Sequence, residues 1–359
     1  MKKNSTYYHI LHLDGIRGLS VILVIFHHFF EFIKFSEFCY IGVDSFFVLS
    51  GFLITGILLR NNGSQFYFRN FYIKRMLRIF PLYYLTLILF FILYPMLNLN
   101  WIYKYDYLCN NQLWFWTFFQ NWLIIYDGWL PNRILGHFWS LAIEEQYYFV
   151  WPFLVYFLSK NKLVFLCVIL FFLSPILRHL NTELPYVYVC TFTRLEGLVL
   201  GSLIAILFEN NKININNYKY YIYIIMIFIV LYFSFQDKWT LGELYNMKIG
   251  YTLTPLFFSL LLLSTFIDNK PGKYLRFFFS NSILTFTGKI SYGLYIYHNI
   301  FFYLFRPHLE RFLSKFSQNI SIVNIEIGLI LIVFTYMVSY ISFLFFESKI
   351  TNMKHLFIK

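Results

Sequence analysis

Apolar residues run through this chain in long blocks, separated by short polar, basic or aromatic stretches. A bilayer core takes roughly 20 mostly apolar residues per helix, and about ten blocks approach that length. They are 16–34, 40–59, 79–97, 136–158, 163–180, 187–208, 218–236, 249–267, 283–305 and 324–346. The pattern predicts an all-α fold, a polytopic transmembrane helix bundle of about ten spans. One transmembrane domain over 1–359, with no separate soluble domain, is the expected organisation. The fourth, sixth and ninth blocks carry polar residues, so their ends are the least sharply marked. No inverted internal repeat of the transporter kind is visible.

Lysine and arginine set the orientation. One group of loops and ends holds Lys2, Lys3, Arg60, Arg69, Lys74, Arg75, Arg78, Lys160, Lys162, Lys212, Lys219, Lys270, Lys273, Arg276, Lys349, Lys354 and Lys359. The other holds Lys34, Lys104, Arg133, Arg178, Lys238, Lys248, Arg306, Arg311 and Lys315. The excess is about two to one, which makes the first side cytoplasmic. An even number of spans then leaves both termini in the cytosol, in the inner (plasma) membrane. The segment 98–135, rich in Trp and Tyr, falls outside, where its rings can rest at the interface or form part of an acceptor site.

Composition agrees. Of 359 residues, 59% are hydrophobic and only 13% charged, against about 25% charged in soluble chains. The net charge of +12 is spread between apolar blocks, so no continuous basic face for nucleic acid forms. Cys39, Cys109, Cys167 and Cys190 show neither CxxC pairing nor metal-ligand spacing, and no disulfide framework is expected. The first apolar block holds Arg17, His27 and His28 without a small-residue cleavage site, so a cleavable leader is not expected.

Charges in hydrocarbon cost several kcal/mol, so each one needs a reason. Arg17 and His28 stand eleven residues apart. On a helix that is close to three turns, which puts both on one face about 16 Å apart along the axis. His27 points about 80° away from it. A desolvated imidazole stays neutral. Such a group serves as a general base, or as a hydrogen-bonding strut between helices, and position alone leaves both open. Asp44 is a candidate partner for Arg17 or for a histidine. Ser50-Gly51 permits close helix approach. Arg75 and Arg78, three apart, suit either phosphate binding or positive-inside anchoring. Glu144 and Glu145 need a basic partner, protonation or a wet cavity, and Arg194 is a candidate partner. Together these groups argue for a central polar cavity.

Six blocks then stand in a recognisable order. They begin with Leu-Asp-Gly-x-Arg-Gly at Leu13 to Gly18, with His28 following Arg17 after ten residues, and Gly-Val-Asp-x-Phe-Phe-x-x-Ser-Gly-Phe at Gly42 to Phe52. Arg-x-x-Arg-Ile-x-Pro at Arg75 to Pro81 and Trp-Ser-Leu-x-x-Glu-Glu-Gln at Trp139 to Gln146 follow. Arg-x-Glu-Gly at Arg194 to Gly197 and Ile-Ser-Tyr-Gly-Leu-Tyr at Ile290 to Tyr295 close the series. In this the chain resembles the acyltransferase family 3 membrane proteins, which O-acylate bacterial surface polysaccharides. The resemblance runs from His12 to Glu347 and selects His28 over His27.

That resemblance implies a cytosolic acyl-CoA donor, acetyl-CoA by default, and no metal. It implies a glycan or lipid-linked sugar acceptor. Arg17, Arg75, Arg78 and Ser50 are then expected at the donor. His28 is expected to act as general base or acyl carrier, with Arg17, Asp44 and Glu144 in supporting catalytic roles. Many relatives add a soluble C-terminal esterase-like domain, so a separate periplasmic partner is a further expectation. Membrane lipid is the remaining partner. The competing readings are a glycan exporter, a binding subunit of a polysaccharide synthase and, last, a metal-dependent membrane hydrolase.

Overall fold

The structure is a computed structural model that describes residues 10–97, 101–209, 214–235 and 246–357. Lys2, Lys3, Lys212, Lys238 and Lys359, which entered the orientation argument, lie outside the described residues. Every regular element among the described residues is helical.

The principal helices are α1 (Leu11–Phe29), α2 (Gly42–Asn61), α3 (Tyr67–Ile88), α4 (Trp139–Phe157), α5 (Lys160–Leu180), α6 (Leu195–Glu209), α7 (Lys219–Ser234), α8 (Tyr251–Ser264), α9 (Lys270–Phe279), α10 (Ser282–Lys289), α11 (Ser291–Leu313) and α12 (Ile320–Ser342). Among the described residues, five helical stretches have the length and composition to cross a membrane: Lys34–Asn61, Tyr67–Met96, Lys160–Leu180, Ile215–Ser234 and Ile320–Phe357. α5, α7 and α12 expose large apolar side chains such as Phe165, Phe228 and Val333. Exposed apolar rows of this kind suit lipid. The chain is a multi-pass membrane protein. The other five expected blocks fall on α1, α4, α6, α8 and the pair α10–α11, which are shorter or more polar.

Two expected spans are interrupted. The block 187–208 is a short turn of helix, Leu184–Val189, then an irregular stretch, then α6. Irregular backbone inside a bundle must find its partners in protein. Here the Thr193 hydroxyl serves the Val187 carbonyl at 3.0 Å and the Cys190 carbonyl at 2.9 Å. The block 283–305 breaks at Ile290, between α10 and α11. The Asn281 carboxamide caps the start of α10 by accepting from the Ile283 N–H at 2.8 Å.

The core is a pair of helices in backbone contact. A Cβ at Gly51 of α2 would lie 1.9 Å from the Leu198 carbonyl oxygen, and one at Gly201 of α6 would lie 2.0 Å from that of Val48. Small residues allow this approach and are typical of helix contacts in membranes. Hydroxyls then seal the seam. Thr55 donates to the Ser202 hydroxyl at 2.7 Å, and the Trp151 indole donates to Thr55 at 2.7 Å, which brings α4 onto the pair. The same close approach joins α1 to α10 and fixes where Arg17 points: at Gly18 an added Cβ would meet the Leu284 carbonyl at 2.0 Å.

Gly201→Val forces α2 and α6 apart. It is expected to cost about 3 kcal/mol or more, read as a lowered thermal midpoint of the detergent-solubilised protein. Gly63→Ala, in open space at a turn, serves as the comparison; its positive φ adds only local strain.

Candidate active site

Two recesses open along α1. The first, partly open, is lined by Arg17, Arg75, Arg78, Ser50, Glu144 and Tyr148, among others. The second, also partly open, is lined by His27, His28, His137, Trp129, Arg133 and Tyr188, among others. Val43 and Tyr295 line both. The two recesses therefore adjoin across a thin partition, at opposite ends of the face that carries Arg17 and His28.

The first recess is cationic. Arg17 is braced by Asp14, one turn earlier, at 2.7 Å. α3 runs through the basic cluster, so Arg75 and Arg78 are neighbours on one helix as their spacing predicts. No carboxylate among the described residues forms an ion pair with either. The Arg75 guanidinium sits over the Tyr148 ring at 4.5 Å, and the Tyr148 hydroxyl is hydrogen-bonded to Ser50. That arrangement holds a planar cation in place by its face and leaves its N–H edges for an anion. Ser50, offered by sequence as a small packing residue, thus also supports a charged side chain.

The second recess is built around imidazoles. The His28 Nδ1 lies 2.9 Å from the Val24 carbonyl oxygen. A carbonyl only accepts, so Nδ1 carries the hydrogen and Nε2 keeps the lone pair. His27 is turned to the loop after α1, where its Nδ1 donates to the Ser36 carbonyl at 2.8 Å. His298 of α11 packs its ring against His28 with centroids 5.0 Å apart, and His137 follows at 4.9 Å from His298. His298 Nδ1 donates to the Tyr295 carbonyl at 2.8 Å, and His137 Nε2 to the Ile296 carbonyl at 3.2 Å. His298 Nε2 and His137 Nδ1 are buried without a hydrogen-bond partner. Both residues were visible in sequence, but nothing in their spacing linked them to His28; only the fold of α11 does.

Two pairings and one placement differ from the sequence expectation. Asp44 does not meet Arg17. It takes Arg194 at 2.7 Å and the Thr254 hydroxyl at 2.8 Å. Arg194 therefore does not serve Glu144 and Glu145. Its guanidinium is enclosed by the rings of Tyr251 at 4.7 Å, Tyr188 at 5.2 Å and Trp139 at 5.7 Å. Arg178 is fully buried rather than in an outer loop, so it drops out of the orientation count. It grips Glu196 with two bonds of 2.6 and 2.7 Å. The reason is the same throughout: a desolvated charge takes the partner that packing supplies, not the nearest one in sequence. Glu144 lies with the arginines in the first recess, while His137 sits in a tight turn before α4 and faces the second.

The partition has its own hydrogen bonds. The hydroxyls of Tyr295 and Ser140 are 2.5 Å apart, and Tyr295 also donates to the His137 carbonyl at 2.9 Å. Gln146 ties the segment before α4 to that helix: it donates to the Phe118 carbonyl at 2.9 Å and accepts from Thr191 at 2.5 Å. Ser140, Glu144 and Gln146 of the block from Trp139 to Gln146 thus take different places, and Glu145 Oε1 is buried without a hydrogen-bond partner. No cluster of His, Cys, Asp and Glu able to hold a metal ion occurs among the described residues.

A multi-pass helical membrane protein with a cationic recess set against a histidine recess fits the class of integral membrane acyltransferases. The chain belongs to acyltransferase family 3: the family model described as an acyltransferase domain matches residues 10–344. It is 30% identical to the peptidoglycan O-acetyltransferase OatA of Listeria monocytogenes, over 98% of this chain and 57% of the relative. It is 28% identical to the putative peptidoglycan O-acetyltransferase YrhL of Bacillus subtilis, over 82% of this chain and 49% of that protein. A putative O-acetyltransferase of Staphylococcus aureus is also 28% identical, over 80% and 49%. The chain spans about half the length of these curated relatives. No solved structure matches it.

Arg194→Met leaves Asp44 buried without its cation and is expected to cost about 3–5 kcal/mol. The double variant Asp44→Asn with Arg194→Met is expected to recover part of that loss. Thermal unfolding in detergent, arranged as a double-mutant cycle, measures the coupling; additive losses would mean that the pair is not an energetic unit.

Proposed function

We propose that this chain transfers an acetyl group from cytosolic acetyl-CoA to a hydroxyl of a cell-surface or lipid-linked glycan. The observation that carries the reading is the alignment on α1: a cationic recess at Arg17, a histidine recess at His28, and a shared wall at Val43 and Tyr295. The names of the relatives, O-acetyltransferases acting on peptidoglycan where a substrate is printed, support the same chemistry.

In this reading the shorter helices complete a bundle of about ten crossings. Both termini lie in the cytosol of a cell whose inner membrane holds the protein. Arg75 and Arg78, with Arg17, bind the phosphates of the donor through charge-assisted hydrogen bonds. Ser50 keeps Tyr148 and so Arg75 in place, and Glu144 balances the cations when the site is empty. The pantetheine arm follows the α1 face to the partition, which brings the thioester to His28.

His28 then acts through Nε2. It takes the proton of the acceptor hydroxyl as that oxygen attacks the thioester carbonyl. The carbon–sulfur bond breaks, and the departing thiolate takes that proton from His28, leaving an ester, free CoA and a neutral imidazole. Asp44 acts from a distance: with Arg194 it fixes Trp139 and Tyr188, two rings that line the histidine recess. Exporter and passive-subunit readings account for buried charge but give no role to a base standing in line with a phosphate-sized cationic site.

Two substitutions separate the parts. His28→Ala is expected to abolish movement of radiolabel from acetyl-CoA to glycan while acetyl-CoA still binds, and wild-type turnover in that variant would sink the assignment. Arg75→Ala is expected to raise KM for acetyl-CoA by about tenfold, in line with a lost charged hydrogen bond of about 1.5–3 kcal/mol. An unchanged KM would remove Arg75 from the donor site.

A further inference from the structure

The recess around His28 is lined by the rings of Trp129, Tyr188 and Tyr303, flat surfaces suited to the faces of sugar rings. Its charged side chains are Glu31 and Arg133, beside the histidines. Glu31 is already engaged, because Arg306 pairs with it. Arg133 is solvent-exposed at the recess, its side chain meets the Tyr303 hydroxyl, and it forms no ion pair with a carboxylate among the described residues. The recess therefore offers an arriving molecule one cation that no acid neutralises.

The backbone at Arg133 is left-handed, with φ of 53°. That conformation is uncommon for a residue with a side chain and costs about 1–3 kcal/mol unless its surroundings enforce it. The surroundings do so here. The Asn299 carboxamide donates to the Arg133 carbonyl at 2.8 Å and to the Ile134 carbonyl at 3.2 Å. Asn299 follows His298 on α11 and is itself buried. The helix that sets His298 against His28 thus also clamps the turn that carries Arg133. Glycine would relieve the strain at no steric cost. The position holds an arginine, which glycine could not replace as a cation.

We infer that Arg133 is the anion-binding subsite of the acceptor: the glycan that enters this recess carries a carboxylate or phosphate, which the guanidinium grips with paired N–H bonds. The inference rests on the reading that the histidine recess receives the acceptor. The anion could sit on the sugar itself or on the diphosphate of a lipid carrier, and the same test separates the two.

Full-length protein in proteoliposomes is given radiolabelled acetyl-CoA and two matched pairs of acceptors. The first pair is N-acetylmuramic acid and its methyl ester. The second is a polyprenyl diphosphate N-acetylglucosamine and the polyprenyl N-acetylglucosaminide without phosphates. In at least one pair, kcat/KM for the anionic member is expected to exceed that for the neutral one by about tenfold or more. Arg133→Gln is expected to bring that ratio to about one, with Arg133→Lys intermediate. The pair that shows the effect names the source of the anion. The ratio is internal, so loss of folded protein cancels from it. A wild-type ratio near one in both pairs, or a ratio that survives in Arg133→Gln, overturns the inference and leaves the acetyltransferase reading standing. Absence of label transfer to every acceptor overturns both.

Discussion

A charge held inside a membrane bundle has no water to retreat to, and the fold is organised around that fact. Two arginines and two carboxylates are buried together near the start of α6, as Arg194 with Asp44 and Arg178 with Glu196. The hydroxyls of Thr254 and Thr252 on α8 donate to the two carboxylates, Asp44 and Glu196. Removing any one member strands another in a dry interior, so the four helices α2, α5, α6 and α8 are bound to a single arrangement. The aromatic enclosure around Arg194 carries this constraint outward, because Trp139 and Tyr188 belong both to that enclosure and to the wall of the histidine recess.

The glycine seam between α2 and α6 and the close approach of α1 to α10 set the distances within that framework. Backbones in contact leave little freedom for helices to slide, so Arg17 and His28 stay at fixed depths. Val43 and Tyr295 line both recesses, and Tyr295 is held by the Ser140 hydroxyl, the His137 carbonyl and the rings of Phe46, His137 and His298.

The division of labour across α11 follows from its register. His298 faces His28, Asn299 reaches the turn at Arg133, and Tyr295 one turn back closes the partition. A single helix therefore positions the His28 neighbour, the turn at Arg133 and the shared wall together.

Much of this was legible in the chain. Length and apolar periodicity alone establish a helical membrane protein, since a bilayer admits few other solutions for such blocks. Helical spacing alone put Arg17 and His28 on one face and Arg75 beside Arg78. The order of the six blocks pointed to the family. The pairings were not legible. Asp44 is far in sequence from Arg194, and Arg178 had every appearance of a loop residue beside a span. His298 gave no sign of packing edge-on against His28. Helix periodicity is a local property carried by neighbouring residues, and it fixes faces. Which faces meet is decided by non-local packing, where each buried charge and each lone pair must find a partner among helices that the sequence does not place side by side.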